Sequence, residues 1–210
     1  MKILVVAATR QEVAIFADLN PGVELLICGV GIPSTIFHLT KRLLQQKYDL
    51  VIQAGIGGSF SGKLKKGSVV AIETDAFADL GVEEKNKFKT IFQMGFGDEN
   101  TFPFKNGLLP NPSGVIGMAG LKKVNAVTIN TIHDNKKRAR RIEKMFDASV
   151  ESMEGAAFHL VCLQLDVPFL QLRAISNTVG ERDKNKWKVN EAIGNLNHTL
   201  QKFIESINAL

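Results

Sequence analysis

The chain alternates between two hydrophobic periods. "KILVVAA" (residues 2–8) is apolar without a break after its lysine, the pattern of a strand covered on both faces. The next segment, "TRQEVAIFADL", switches to helical spacing at Val13, Phe16 and Ala17, and Thr9 with Glu12 forms a capping-box pattern at its start. "VELLICGVG" reads as a second strand, and "PSTIFHLTKRLLQQ", which opens on Pro33, as a helix. "YDLVIQAG" is a buried strand running into a loop, "GIGGSFSGKLKKG", before another strand, "SVVAIETDAF". Thr74 to Asn111 reads as long, aromatic and irregular. Order then returns: "KVNAVTIN" is a strand, "DNKKRARRIEKMF" a helix and "ASVES" a short strand. "MEGAAFHLVCLQL" is a helix, "PFLQLRAIS" a strand, and a last helix runs from near Trp187 to the C-terminus.

This alternation predicts an α/β fold in a single domain covering residues 1–210. Its expected form is three layers, with a central, twisted, mostly parallel (mixed) sheet flanked by helices. Ligands in such sheets bind at the carboxyl ends of strands. Composition fits one core: 210 residues, 45% hydrophobic and 22% charged. Cys28 and Cys162 lie in apolar runs without disulfide or metal-ligand spacing, which suits a reducing compartment. The start lacks a cleavage pattern and no apolar stretch is long enough to span a bilayer, so a soluble cytoplasmic protein without a membrane partner is expected.

The net charge of +5 comes largely from "NKKRARRIEK" (135–144) and "RDKNKWK" (182–188). A solvated helix face and a surface loop account for it, and no nucleic-acid module accompanies it, so no nucleic-acid partner is expected. Attraction of an anionic small substrate is the other reading.

Two glycine motifs are set aside. "GGSFSGKL" nearly matches a phosphate-binding loop, but Leu64 stands where a Ser or Thr belongs and a strand follows instead of a helix. "GVGIPS" lacks the third glycine of a dinucleotide fingerprint and follows the second strand. Three other positions carry chemistry just past strands: Glu12, the pair Met153 and Glu154, and Ser176 with Asn177. A parallel sheet gathers them at one edge. Each also has a purely structural reading. Glu12 can be a capping glutamate, Glu154 a first-turn acid favoured by the helix dipole, and Asn177 a turn residue.

Together these segments resemble the purine nucleoside phosphorylase and methylthioadenosine/adenosylhomocysteine nucleosidase superfamily over nearly the whole chain. The likeness rests on "MKILVVAATRQEV", "VIQAGIGGSFSGKLKKGSVVAI", "VESMEGAA" and "VPFLQLRAISN". It implies that Glu12 is the base that activates water and that Met153 and Glu154 hold the ribose, with backbone at Ile56 and Gly57 close to the sugar. Glu151 is expected to be a structural group or one that supports the substrate-contacting residues from behind, and not itself a substrate contact. Family phosphorylases hold phosphate with arginines and a serine, whereas this loop has Gln53 and Ile56 there, so water is the expected nucleophile. Adenosine-type nucleosidases have an aspartate after the serine of the last strand. Asn177 in its place donates to a carbonyl O6 and accepts from a protonated N7, which suits a 6-oxopurine such as hypoxanthine.

"RAISNTVGERDKNKWKVNEAI" and "DAFADLGVEE" further resemble the futalosine hydrolase branch of that family, which serves a route to menaquinone. That likeness implies a pocket for an aryl ketone and a carboxylate beyond the 5′ carbon. Phe77, Phe102 and Phe104 are candidates for its walls and Arg182 or a nearby lysine for its charge; packing of a lid is the other reading of the phenylalanines. The same resemblance implies a homodimer, a nucleoside as the small-molecule partner, and neither metal nor organic cofactor. An adenine thionucleoside nucleosidase and a phosphate-dependent phosphorylase are the rival activities.

Overall fold

A computed structural model describes residues 1–85 and 87–209 of the chain. The apolar run at the start is strand β1 (Ile3–Ala7), buried throughout, and it leads into helix α1 (Arg10–Leu19). Strand β2 (Glu24–Ile27) and helix α2 (Ile32–Gln45) follow, with Pro33 in the first turn of α2. Strand β3 (Leu50–Ser59) and strand β4 (Val69–Asp75) come next. The second half contains β8 (Lys123–Thr128), α4 (Lys136–Phe146), β9 (Val150–Ser152), α5 (Gly155–Gln164), β10 (Phe169–Thr178) and α6 (Val189–Asn208). Leu210, the last residue of the expected final helix, and Asn86, in the middle segment, lie outside the described residues.

The middle segment is more ordered than its composition suggests. It contains an antiparallel hairpin of β5 (Gly81–Glu84) and β6 (Lys87–Thr90), and a short strand β7 (Leu109–Pro110) on the edge of β4. A single turn of helix, α3 (Val115–Met118), follows.

The sheet is mixed. β1 pairs in parallel with β2 and β3, and β10 with β3, while β10 meets β4 and β3 meets β9 antiparallel. An open twisted sheet is not what forms. β10 lies between β4 and β3, and β4 continues through β8 and β9 back to β3, so five strands close a ring. The length of β3 and β10, ten residues each, makes this closure possible. The first half of β3 lies against β1, from Ile3↔Leu50 to Val6↔Gln53, whereas Gly58 and Ser59 pair with β9.

"GIGGS", read from sequence as a loop, is thus the second half of β3. Its glycines serve close approach. A Cβ on Gly55 would stand 2.3 Å from Nη1 of Arg173 on β10. Past Ser59 the chain makes one 3-10 turn, Phe60–Gly62, and then enters β4.

Helices cover both faces. α1 packs on α6 over a core containing Val5, Val13, Phe16, Ile52, Leu172, Leu196 and Leu200. α2 packs on α5 over Leu4, Val6, Leu39, Val51, Phe158 and Phe169. In α4, Ala139 and Ile142 point inward while Lys136, Lys137, Arg140 and Lys144 are exposed, as expected of a solvated basic face. Among the described residues no helix is long and apolar enough to cross a membrane.

Candidate active site

A cavity of about 320 Å³ opens where β1, β3, β9 and β10 end against the start of α6. Glu12, Ile56, Gly57, Met153, Glu154 and Asn177 all line it, so six sequence candidates share one wall.

Glu12 reaches the cavity from the first turn of α1 and is 8% exposed. Its Oε2 accepts from the N–H of Thr9 at 2.9 Å and from the Thr9 hydroxyl at 3.1 Å, the helix-capping contact. Its Oε1 accepts from the backbone N–H of Ile56 at 3.0 Å. The capping and cavity readings of Glu12 therefore hold at once, one oxygen each. Asn197 of α6 donates to the Glu12 carbonyl at 2.8 Å and fixes the backbone beneath it.

Glu154 is the N-cap residue of α5, yet its side chain does not cap that helix. It turns instead towards the start of α2. Oε1 accepts from the N–H of Gly31 at 3.0 Å, and Oε2 lies 3.8 Å from Nη2 of Arg173. Burial pushes the acid up, opposed by Arg173 and by the Gly31 N–H.

Asn177 lies in β10, not in a turn, just past an irregularity in the β10–β3 register between Ile175 and Asn177. Such a bulge re-aims a side chain. The Asn177 Oδ1 accepts from the Ser176 hydroxyl at 2.8 Å, and Nδ2 donates to the Thr178 carbonyl at 3.1 Å. Gly57 has no space for a side chain: a Cβ there would sit 3.0 Å from both the Glu151 carbonyl and Val150 Cγ1.

Four expected residues lie elsewhere. Phe104 stacks edge-to-face on Phe92 at 5.2 Å and, with Phe77, lines a separate cavity of about 380 Å³. Phe102 is exposed. Arg182 is also exposed and stands off the wall, with its guanidinium over the Trp187 ring at 5.4 Å; Trp187 itself lines the site.

Two further residues belong to the site or its support. Arg173, 2% exposed, donates from Nη2 to Gln53 Oε1 at 2.7 Å and holds Glu154 from behind. An arginine inside the apolar run "FLQLRAI" was the available signal, because a buried cation needs a partner. Glu151, expected to support the site without touching substrate, lines the cavity at 8% exposure, and its Oε2 has no hydrogen-bond partner among the described residues.

Burial pushes the Glu151 carboxyl up from about 4.5 to about 7, with Arg138 opposing and Asp79 reinforcing the shift. The folded protein then keeps a proton that the unfolded chain releases earlier. Its stabilising effect is full below pH 4.5 and is lost as pH rises through 7. Glu151→Gln is thus expected to match the wild type at pH 4 and to exceed it at pH 8 by roughly 3 kcal/mol. Urea unfolding at both pH values measures this, and an equal difference at the two would refute it.

Among the described residues the cavity wall holds three carboxylates, Glu12, Glu151 and Glu154, and neither Lys nor Arg. Val30, Ile129, Ile132, Trp187, Val189 and Ile193 make the rest of it largely apolar. Such a site can hold a flat base and a sugar, and it disfavours an anion beside the carboxylates.

Comparison with known proteins agrees in outline. The phosphorylase superfamily model matches residues 2–210. The futalosine hydrolase of Streptomyces coelicolor is 34% identical over 191 residues, covering 88% of this chain and 80% of its own. That of Thermus thermophilus is 29% identical over 187 residues, 87% of this chain and 81% of its own. Among solved structures, a mutant Helicobacter pylori MTAN with methylthioadenosine in its active site superposes with a TM-score of 0.83 over 98% of each chain. At 18% identity that likeness is one of fold.

Proposed function

The chain belongs to the phosphorylase superfamily, and from that premise we propose that it is a nucleosidase acting on futalosine. It hydrolyses the N-glycosidic bond and releases hypoxanthine, a step towards menaquinone. The observation that carries this reading is the cavity wall with Glu12, Glu151 and Glu154 and, among the described residues, no Lys or Arg. A phosphate nucleophile needs charge-assisted donors and would meet like charge here, whereas water needs only a base.

Cleavage passes through a sugar resembling an oxocarbenium ion. Glu12, held by Thr9 and Ile56, orients the attacking water and takes its proton. Glu154 accepts from the ribose hydroxyls and, as an anion, stabilises the positive sugar ring. Met153 and the backbone at Ile56 and Gly57 enclose the sugar. Asn177 donates to O6 of the departing base and accepts from its protonated N7. This chemistry calls for neither metal nor organic cofactor. The apolar side formed by Trp187, Val189 and Ile193 suits an aryl group beyond the 5′ carbon, with Arg182 next to Trp187 for its carboxylate.

Residues 1–210 act as one domain, and the setting is a soluble cytoplasmic homodimer. Phe96 and Phe102 stand exposed in the middle segment, where a partner copy would cover them and bring that segment to the 5′ side of the neighbouring cavity. A monomer by light scattering at assay concentration, with full activity, would rule the dimer out.

The substrate is tested by offering futalosine, inosine and methylthioadenosine side by side and identifying the freed base. Hypoxanthine from futalosine is expected to dominate; adenine from methylthioadenosine in its place would favour the adenine-type nucleosidase. Asn177→Asp should move the balance towards adenine by about one to two orders of magnitude, because O6 needs a donor and the adenine amine an acceptor. An unchanged ratio of kcat/KM on futalosine and its adenine analogue would mean that Asn177 does not read the base.

A further inference from the structure

Helix α5 begins on Gly155, and the residue before it, Glu154, keeps its side chain on the Gly31 N–H and beside Arg173. The N–H groups of a first helical turn still need acceptors, and the N-cap side chain is their usual source. Two strand ends supply them here. Ser152 Oγ, at the end of β9, accepts from the Gly155 N–H at 3.3 Å. Thr128 Oγ1, at the end of β8, accepts from the Ala156 N–H at 2.7 Å.

The Thr128 hydroxyl is itself held from behind. It donates to Oδ1 of Asp75, the last residue of β4, at 2.9 Å. The Ala76 N–H donates to the same oxygen at 2.8 Å, and Gln171 Nε2 donates to Oδ2 at 3.1 Å. Asp75 and Thr128 are both fully buried. Burial raises the Asp75 acid to about 6, against the hydrogen bonds from Gln171 and Thr128, so at neutral pH it is a carboxylate that only accepts. The hydroxyl proton is therefore committed to Asp75, which leaves the oxygen lone pairs to Ala156. Gly155 permits this approach, because a Cβ there would collide with Asp75 Oδ2 and Gln171 Nε2.

We propose that Asp75 and Thr128 are positioning residues of the site: together they cap α5 in place of Glu154 and so keep the Glu154 carboxylate in the cavity. What that carboxylate then does, holding the ribose, rests on the nucleosidase reading given above. Without the Thr128 hydroxyl the Ala156 N–H is left bare in the core, which is costly. Glu154, two residues earlier, is the carboxylate that the N-cap position offers it. Turning to that N–H takes Glu154 off Gly31 and away from the sugar.

Thr128→Val keeps the side-chain shape and removes the hydroxyl, whereas Thr128→Ser keeps it. Both are compared with the wild type by crystal structure and by calorimetry at neutral pH. The ligands are hypoxanthine and an inosine analogue whose glycosidic bond is carbon–carbon, so that water cannot cleave it. In Thr128→Val the Glu154 carboxylate should accept from the Ala156 N–H. Affinity for the nucleoside analogue should fall by about 10- to 100-fold while that for hypoxanthine is unchanged. Thr128→Ser should match the wild type in both respects. General loosening of the fold would weaken both ligands alike. Should Thr128→Val not fold, Thr128→Cys, whose thiol is a weak acceptor, is read by the same criteria. Glu154 still on the Gly31 N–H in the variant, or equal weakening of both ligands, overturns the proposal. Glu154 on the Ala156 N–H with nucleoside binding unchanged upholds the cap and refutes only the ribose role of Glu154.

Discussion

Glu12→Gln is expected to fold and to bind substrate while losing about two to four orders of magnitude in turnover. The carboxylate has both oxygens engaged, Oε2 by Thr9 and Oε1 by the Ile56 N–H at 3.0 Å, and it lines the cavity. These contacts hold the base in one orientation and leave its remaining lone pairs to a water beside the sugar. An amide cannot take that proton. It also sets one NH₂ against a backbone N–H, at either Thr9 or Ile56, so stability should fall by about 1–3 kcal/mol as well. The decisive quantity is turnover per folded molecule. If it is preserved while thermal stability drops, Glu12 is a helix cap and nothing more.

Arg173→Met is expected to destabilise the protein by about 3–5 kcal/mol, the usual result of removing one partner of a buried ion pair. The guanidinium is 2% exposed and bonded to Gln53, and it faces Glu154 at 3.8 Å. Without it, Glu154 keeps the backbone hydrogen bonds at Gly31 and Met153 against the cost of burial, so its acid is pushed higher still. A Glu154 that protonates more readily and is less well held is a poorer acceptor for ribose hydroxyls, and activity should fall along with stability. The double variant Arg173→Met, Glu154→Gln should recover part of the lost stability, because no uncompensated charge remains, yet stay inactive. A single Arg173→Met variant within 1 kcal/mol of the wild type by denaturant unfolding would show that the pair does not couple.

The local elements were legible because their signals are local. "KILVVAA" needs no partner to read as a buried strand, and Thr9 with Glu12 announces the start of α1 from four adjacent residues. Ring closure had no such signal. It depends on β10 meeting β3 and β4 across more than a hundred positions, and neither period nor propensity encodes a partner at that distance. The glycines of β3 misled for a related reason. Glycine reads as loop in one dimension, but here it makes room for Arg173, whose position only the assembled sheet defines.

The site divides in the same way. Residues at strand ends, Glu12, Glu154 and Asn177, gather because topology alone brings such ends together. Arg173 and Glu151 depend on which face of a strand they occupy and on what stands opposite. Phe104 was named for the aryl pocket that the resemblance implies, and an aromatic in a long connection carries no address; within the chain it packs on Phe92.

The central claim is that water, activated in a cavity lined by carboxylates, cleaves the bond to hypoxanthine. Its most direct test is turnover of futalosine in ¹⁸O-labelled water, with and without phosphate, followed by mass analysis of the sugar product. The account predicts free hypoxanthine at a rate indifferent to phosphate, with one ¹⁸O on the anomeric carbon. Release that requires phosphate and yields an unlabelled sugar phosphate would contradict it.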